Sequence, residues 1–297
     1  MSAVGKFTVG LVQMSPIPDP GDNLVRAVQL VQNAAKDGAS VVCLPELFRS
    51  QYFCQSEDAR FFDLAETVPG PSTNAMADVA RRARVTVIVP IFERRAAGLY
   101  HNSAAVICPD GTIAGLYRKM HIPDDPGFYE KFYFTPGDLG YRAFDTPAGR
   151  IGTLICWDQW YPEAARLTSL RGAAALFYPA AIGWHPKEKA ALGASQREAW
   201  RTVQRAHAIV NGVYVAAVNR SGLETPAGGD GIEFWGSTFL CDPFGEVVAD
   251  ARLGGEQIVL GEIDPARIEE VRRGWPFLRD RRIDSYQGLD RRFLEES

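Results

Sequence analysis

The sequence lacks the features that mark membrane, secreted and nucleic-acid-binding proteins. No apolar run in the 297 residues is long enough to span a bilayer, and the first residues do not have the basic and apolar segments of a signal peptide. The net charge of −4 argues against a nucleic-acid or anionic-membrane partner. We therefore expect an ordinary globular protein that acts on a small molecule, with neither nucleic acid nor membrane as a partner.

Paired cysteines and clustered histidines are also missing. The five cysteines are an odd number, and no two of them form a Cys-x-x-Cys pair. This pattern argues against a disulfide framework or a structural zinc site and fits a reducing, cytoplasmic location. The four histidines are isolated, and no phosphate-binding loop or dinucleotide glycine fingerprint occurs. We therefore expect no metal and no cofactor.

The order of secondary-structure patterns predicts one α/β domain over residues 1–297. Strand and helix patterns alternate up to a hairpin and then alternate again, so the two halves look alike. Two long loops interrupt this order, at 48–70 and 121–140, and loops of this length are usually functional. A glycine-rich loop is expected at Gly222–Gly231. From about residue 275 the chain is polar with scattered aromatics, which favours an arm that packs on a partner subunit.

The most distinctive cysteine lies in the segment Ile151–Glu163. This segment begins as a buried strand and stops abruptly at Cys156, and Pro162 then opens a helix. A cysteine at a strand-to-helix turn can expose its sulfur beside the positive helix end, which lowers the thiol pKa and produces a nucleophile. A buried structural cysteine is the alternative.

Two further ionisable residues also follow strands, Glu46 after an apolar strand and Lys119 after the hairpin. Sites in α/β sheets gather at the carboxyl ends of strands, although either residue alone could be an ordinary surface residue. Together they suit nucleophilic catalysis: a carboxylate takes the thiol proton, and a lysine with the Trp157 backbone N–H holds the oxyanion. No histidine lies in a recognisable papain-like setting, and the Gly-x-Ser-x-Gly motif is absent.

Three segments resemble the signature blocks of the nitrilase, or carbon–nitrogen hydrolase, superfamily, over nearly the whole chain from Val9 to about Phe293. The segments are Leu44-Pro-Glu46-Leu47, Tyr117-Arg-Lys119-Met-His121 and Ile155-Cys156-Trp-Asp-Gln-Trp-Tyr-Pro-Glu163. The resemblance implies a four-layer α-β-β-α sandwich, with homodimers as building blocks and possible higher homo-oligomers. It also implies that Glu46 is the general base, Lys119 the oxyanion stabiliser and Cys156 the nucleophile. Glu130 would be the second glutamate, which positions the substrate and Lys119.

Within the superfamily, the segments around His121, Glu130, Cys156 and Tyr178 look most like those of members that hydrolyse N-carbamoylputrescine. The resemblance implies release of putrescine, CO₂ and ammonia through a carbamoyl-thioester, in polyamine biosynthesis from agmatine. A cationic substrate tail requires a nearby carboxylate. The candidate substrate-binding residues are two acids and two aromatics: Asp125, Glu188, Phe128 and Trp184.

Other functions remain open on the sequence alone. The same chemistry could act on an N-carbamoyl amino acid such as β-ureidopropionate, on an ω-amide or, with less support, on a nitrile. The chain could also be a lapsed member of the superfamily that serves as a binding subunit. The motif assigns no role to Asp158, Gln159 or Trp160.

Overall fold

Two six-stranded sheets form the centre of the protein in a computed structural model, which describes residues 5–226 and 228–294. The strands are β1 (Phe7–Gln13), β2 (Val41–Cys43), β3 (Thr86–Ala96), β4 (Leu99–Ile107), β5 (Ile113–Arg118), β6 (Ala143–Thr146), β7 (Gly149–Thr153), β8 (Ala175–Ala180), β9 (Gly183–Trp184), β10 (Tyr214–Asn219), β11 (Ser221–Glu224), β12 (Ile232–Trp235), β13 (Phe239–Cys241), β14 (Val247–Asp250) and β15 (Gln257–Ile263). The helices are α1 (Pro20–Lys36), α2 (Pro71–Ala83), α3 (Glu130–Tyr133), α4 (Pro162–Leu170), α5 (Pro186–Asn211) and α6 (Pro265–Gly274).

The two large sheets share one strand pattern. The first has the order β15-β1-β2-β3-β4-β5, in which β1, β2 and β3 run parallel and the outer strands pair antiparallel. The second has the order β14-β13-β10-β8-β7-β6, in which β7, β8 and β10 run parallel and the outer strands again pair antiparallel. The similarity of the two halves in the sequence therefore reappears as two sheets of matching design.

Alternating side chains divide the core into layers. On β2, Val41 and Cys43 belong to the apolar cluster that joins the two sheets, whereas Val42 packs beneath α1 and α2 with Val31 and Val79. This alternation is the period of two that a strand buried on both faces must have. Helices α4 and α5 contact β8 and β10 on the second sheet. The expected α-β-β-α sandwich is confirmed.

The strand directions determine on which side of the first sheet β2 and β5 end. Strand β5 pairs antiparallel with β4, and β4 pairs antiparallel with β3, so β5 has the same direction as β2. The carboxyl ends of β2 and β5 therefore lie on the same side of the first sheet. This arrangement positions the residues that directly follow them, Glu46 and Lys119.

The loop predicted at Gly222–Gly231 is shorter in the structure, because β11 extends to Glu224 and includes its first three residues. Strands β11 and β12 form a hairpin there, and β9 completes a three-stranded sheet in the order β11-β12-β9. Residue Ala227 of the predicted loop lies outside the described residues. The sequence pattern does not predict strand β11, because its polar residues Ser221 and Glu224 are buried while its apolar residue Leu223 is exposed.

The segment after α6 carries many large apolar side chains on its surface. These exposed side chains are Trp275, Phe277, Ile283, Tyr286, Leu289, Phe293 and Leu294. In the part of the chain that the structure describes, no helix is both long and apolar enough to cross a membrane.

Candidate active site

Glu46, Lys119 and Glu130 form a hydrogen-bonded cluster that is almost completely shielded from solvent. The Lys119 Nζ donates to Glu46 Oε1 at 2.8 Å and to Glu130 Oε2 at 2.6 Å. The three side chains are between 0% and 1% exposed. One ammonium between two carboxylates gives each partner a charge-assisted hydrogen bond, which compensates for the lost hydration.

Two neutral side chains also donate hydrogen bonds to the carboxylates of this cluster. The Asn102 Nδ2 donates to Glu46 Oε1 at 2.7 Å, and the Tyr52 hydroxyl donates to Glu130 Oε1 at 2.7 Å. Because both donors to Glu46 use Oε1, the other oxygen, Oε2, is buried without a hydrogen-bond partner among the described residues. A buried carboxylate oxygen that lacks a donor is a ready proton acceptor.

Cys156 begins the short 3₁₀ turn Cys156–Trp160 and has a backbone φ of +42°. A positive φ is costly for a residue with a Cβ, and such strain persists where the surrounding structure holds it. The Cys156 Sγ lies 3.9 Å from the carbonyl oxygen of Ala181, at the end of β8. The helix α4 begins only at Pro162, so the residue directly after the cysteine belongs to the turn and not to a long helix.

The electrostatics of the site differ from the sequence prediction. Burial raises the pKa of the Cys156 thiol well above its ordinary value, and the charge of Glu46 raises it further, against the opposing effect of Lys119. This direction is opposite to the lowering that a helix end alone would produce, because desolvation is the largest contribution to the pKa of the thiol. It favours the other account given by the sequence, in which a carboxylate takes the thiol proton.

The two charged partners are perturbed by the same burial. Burial raises the pKa of Glu130 to about 7, although Lys119 opposes the shift. For Lys119, burial lowers the pKa, but Glu130 and Glu46 more than offset this effect and hold the pKa well above its ordinary value. The lysine therefore remains an ammonium that can stabilise negative charge.

Asp158 accepts hydrogen bonds that hold the Cys156–Trp160 turn in place. Its Oδ2 accepts from the Ile155 backbone N–H at 3.0 Å and from the Tyr117 hydroxyl at 2.7 Å. Its Oδ1 accepts from the His121 backbone N–H at 3.0 Å and lies 2.7 Å from His121 Nδ1. Asp158 thus connects the strand end before Cys156 with the segment after Lys119.

Gln159 anchors the same turn to α5. Its Oε1 accepts from Trp200 Nε1 at 2.7 Å and from Gln204 Nε2 at 2.9 Å, and His207 Nε2 donates to its carbonyl oxygen at 2.7 Å. Asp158 and Gln159 are both fully buried. These two residues therefore hold the turn, whereas Trp160 faces the adjoining cavity.

A cavity of about 380 Å³ opens beside Cys156. Three of the four predicted substrate-binding residues line it, namely Asp125, Phe128 and Glu188, and so does Trp157. Trp184 does not line it, because its indole N–H donates to Gly193 O at 2.8 Å and its ring packs behind Trp235, with centroids 5.2 Å apart. Trp235 occupies the wall that Trp184 was expected to form.

The cavity beside Cys156 is lined by acidic side chains. Its titratable side chains are Asp125, Glu188, His185 and the Cys156 thiol, and no lysine or arginine lies among the residues that surround it. Tyr52 is among the residues that line a second cavity of about 440 Å³, and Cys156 is not part of that lining. No group of three or more potential metal ligands occurs within residues 5–226 and 228–294.

Sequence reasoning missed several contacts of the site. Tyr52 and Asn102 bond the two carboxylates from positions 78 and 56 residues away in the chain. The Ala181 carbonyl and the Trp235 wall come from the second sheet and the small sheet. No local spacing links these residues to the motif blocks, so only the fold brings them together.

Several known proteins are similar to this chain in sequence or in fold. A model of the carbon–nitrogen hydrolase family matches residues 8–273. The N-carbamoylputrescine amidase of Solanum lycopersicum is 43% identical over 286 residues, which are 95% of this chain and 94% of that protein. The citrullinase of Francisella tularensis is 37% identical, over 98% of this chain and 100% of that protein. A carbon–nitrogen hydrolase crystal structure from Helicobacter pylori G27 has a TM-score of 0.94 at 47% identity and covers 97% of this chain and 100% of its own.

Proposed function

The chain belongs to the carbon–nitrogen hydrolase family and is an amidohydrolase, and from this premise we propose that it hydrolyses the ureido C–N bond of N-carbamoylputrescine. The products are putrescine, CO₂ and ammonia. The observation that carries the proposal is the charge of the cavity beside Cys156, which has two carboxylates and no lysine or arginine in its lining. The N-carbamoylputrescine amidases among the relatives support the same substrate.

The proposed reaction begins with transfer of the Cys156 thiol proton to Glu46. The free oxygen Oε2 of Glu46 is the acceptor, since Oε1 already accepts two hydrogen bonds. The thiolate then attacks the ureido carbon, and the carbonyl π electrons move to oxygen. The Lys119 ammonium and the Trp157 backbone N–H stabilise this oxyanion, a contribution of about 3 kcal/mol for one well-placed donor.

The tetrahedral adduct then collapses. Its C–N bond to putrescine breaks, Glu46 returns the proton to the leaving amine, and Cys156 keeps the carbamoyl group as a thioester. A water molecule gives a proton to Glu46 and attacks the thioester carbon. The C–S bond breaks, the thiolate recovers the proton, and carbamate leaves and decomposes to CO₂ and ammonia. Glu130 keeps Lys119 in place throughout.

The cationic amine of the substrate is proposed to face Asp125 and Glu188, while Phe128 and Trp157 contact the four-carbon chain. Trp184 is proposed to act only through Trp235. The alternative substrates, citrulline or an N-carbamoyl amino acid, carry a carboxylate. A carboxylate would meet two like charges in this cavity, with His185 as its only potential cation among the lining residues.

A substrate panel tests the assignment. Ammonia release should be fastest with N-carbamoylputrescine and slower by at least about tenfold in kcat/KM with citrulline, N-carbamoyl-β-alanine or a simple ω-amide. The carboxylates of the first two meet like charges in the cavity, and a simple ω-amide lacks the cationic amine. Comparable values for all four compounds would contradict the polyamine assignment.

The neutral analogue N-butylurea isolates the contribution of the substrate cation. The variant Asp125→Asn/Glu188→Gln should raise KM for N-carbamoylputrescine about three- to tenfold, the usual range for partly exposed ion pairs, and leave N-butylurea hydrolysis unchanged. An equal loss with both compounds would show that the two acids do not recognise the amine. If alkylation of Cys156 left all hydrolysis intact, Cys156 would not be the nucleophile.

The exposed apolar side chains after Gly274 point to assembly. We propose that residues 1–297 form a single domain whose arm, from about residue 275, packs on a second subunit of a homodimer. An arm with residues such as Trp275 (54% exposed) and Phe293 (80% exposed) gains stability when a partner covers it. Light scattering should give a dimer or a multiple of it, and deletion from residue 275 should shift the mass toward the monomer; a monomeric full-length chain would contradict the proposal.

A further inference from the structure

A buried ion pair outside the catalytic cluster contacts the segments that carry both catalytic carboxylates. Arg220 is 0% exposed and pairs with Glu224, which is 2% exposed. The Arg220 Nη1 donates to Glu224 Oε1 at 2.9 Å and to Oε2 at 3.1 Å. We propose that this pair, the Arg220–Glu224 clamp, positions Glu46 and Glu130 for catalysis; the inference rests on the proposed roles of those two acids.

One side of the clamp holds the backbone turn after Glu46. The Arg220 Nη2 donates to three carbonyl oxygens: Glu46 at 3.0 Å, Leu47 at 2.8 Å and Ser50 at 3.1 Å. Leu47 has a backbone φ of +49°, an unfavourable conformation for a branched side chain. Three carbonyl dipoles that converge on one point repel one another, and a guanidinium can satisfy all of them. The clamp thus fixes the direction in which the Glu46 side chain leaves the backbone.

The other side of the clamp reaches Glu130 through Tyr52. The Tyr52 backbone N–H donates to Glu224 Oε2 at 2.5 Å, and the Tyr52 hydroxyl donates to Glu130 Oε1 at 2.7 Å. The Arg220 guanidinium also lies over the Tyr52 ring, 5.8 Å from its centroid. The clamp therefore holds both the backbone and the ring of Tyr52. The Tyr52 hydroxyl in turn holds the Glu130 carboxylate in position.

The clamp does not contact the substrate cavity, whose lining residues do not include Arg220. It is therefore a positioning element and not a catalytic one. A buried ion pair is also a poor source of net stability, because desolvation of both charges largely offsets their attraction. Its value here lies in geometry, since one rigid fork fixes both acids relative to Lys119.

The variants Arg220→Lys and Glu224→Gln test this inference. A lysine keeps the charge but lacks the fork that joins Glu224 to three carbonyls, and a glutamine keeps an acceptor for the Tyr52 N–H but loses its charge. The matched control is Arg201→Lys, because Arg201 also makes a bidentate pair, with Asp250 at 3.0 and 2.8 Å, and lies over a phenylalanine ring. Arg201 does not line the cavity.

Rates are normalised to the number of Cys156 thiols that iodoacetamide titrates in the folded fraction isolated by gel filtration, so that loss of folded protein does not count as loss of function. With N-carbamoylputrescine, kcat per thiol should fall about 10- to 100-fold in Arg220→Lys, as expected for a misplacement of about 1 Å. KM should change little, alkylation of Cys156 at neutral pH should slow as well, and Arg201→Lys should match the wild type. Should Arg220→Lys fail to fold, Glu224→Gln provides the same measurement with a smaller expected loss.

Values of kcat per thiol within twofold of the wild type in both clamp variants would overturn the inference, and so would a rise in KM at unchanged kcat. The variants Glu46→Gln and Glu130→Gln separate this result from a failure of the proposed function. If they lose activity while the clamp variants keep it, only the clamp is wrong. If they keep activity as well, the roles proposed for the two acids are wrong.

Discussion

The two sheets share a strand pattern but contribute opposite parts of the site. The first sheet supplies charges: Glu46 and Lys119 follow β2 and β5 and bond directly to each other. The second sheet supplies a thiol, Cys156, on a turn with a positive backbone φ. Asp158 and Gln159 hold this turn by accepting hydrogen bonds from a backbone N–H and from neutral side chains. The proposed acid–base groups are therefore joined by direct charge-assisted hydrogen bonds, whereas the proposed nucleophile is held through the backbone of its turn.

The largest effect should come from the thiol side. Cys156→Ala removes the nucleophile, and kcat should fall by at least about 10⁴-fold. Mass spectrometry should then show no covalent intermediate. Cys241→Ala is the matched control, because Cys241 is a buried cysteine of β13 that is absent from the cavity lining. Residual hydrolysis above that level in Cys156→Ala would mean that another group attacks the substrate.

On the charged side, Glu46→Gln should lower kcat by about 10²- to 10⁴-fold, the range for loss of a general base. The amide oxygen can still accept from Lys119 Nζ and Asn102 Nδ2, so the cluster should stay assembled. Circular dichroism and the melting temperature check that the fold survives. An active Glu46→Gln enzyme would show that another base removes the thiol proton.

The support of the turn can be weakened without removal of any reacting group. In the wild type, the two Asp158 carboxylate oxygens accept hydrogen bonds from the Tyr117 hydroxyl and the backbone N–H groups of His121 and Ile155. Asp158→Asn replaces one of these oxygens with an NH₂ group, which cannot accept. One or two buried donors would lose their acceptor, and the free energy of unfolding should fall by about 2–4 kcal/mol. Urea unfolding measures the stability, and kcat per titrated thiol should fall about tenfold. Unchanged values of both would contradict the idea that the nucleophile depends on backbone support.

The smallest expected effect is a pH dependence that originates in the charged cluster. Because burial raises the pKa of Glu130 to about 7, the carboxylate form that accepts from both Lys119 and Tyr52 is lost as pH falls through that value. The kcat/KM should therefore decline below pH 7, by at most tenfold per pH unit. Glu130→Gln should lower kcat/KM and remove this decline; a variant that keeps it would place the titration elsewhere.

Glu130 should act on stability with the opposite sign. Its pKa in the folded state lies above the ordinary glutamate value of 4.5, so its stabilising effect is complete below that value and is lost as pH rises through about 7. Urea unfolding of the wild type and Glu130→Gln at several pH values measures the difference. As pH rises through about 7, the ionisation of Glu130 should therefore lower the stability of the protein while it raises the activity.

The sequence identifies the candidate catalytic residues but not the side chains that support them. Glu46, Lys119 and Cys156 stand at strand ends in blocks that resemble those of a family. The alternation of strands and helices predicts an α/β domain, and the four-layer sandwich is implied by the resemblance. Tyr52 and Asn102 could not be identified, because their contacts depend on the packing of distant loops and strands. The exchange of Trp184 for Trp235 has the same cause, since both are buried aromatics and only tertiary packing decides which one faces the cavity.

The pairing of the first and last strands has a consequence for synthesis on the ribosome. Strand β1 pairs along its whole length with β15, from Phe7 opposite Ile263 to Gln13 opposite Gln257. Until β15 leaves the ribosome, β1 is an open sheet edge with an apolar sequence, which invites intermolecular pairing. The first sheet to be synthesised is therefore the last to be completed, and a nascent chain that stalls before Gln257 is a substrate for chaperones or for aggregation.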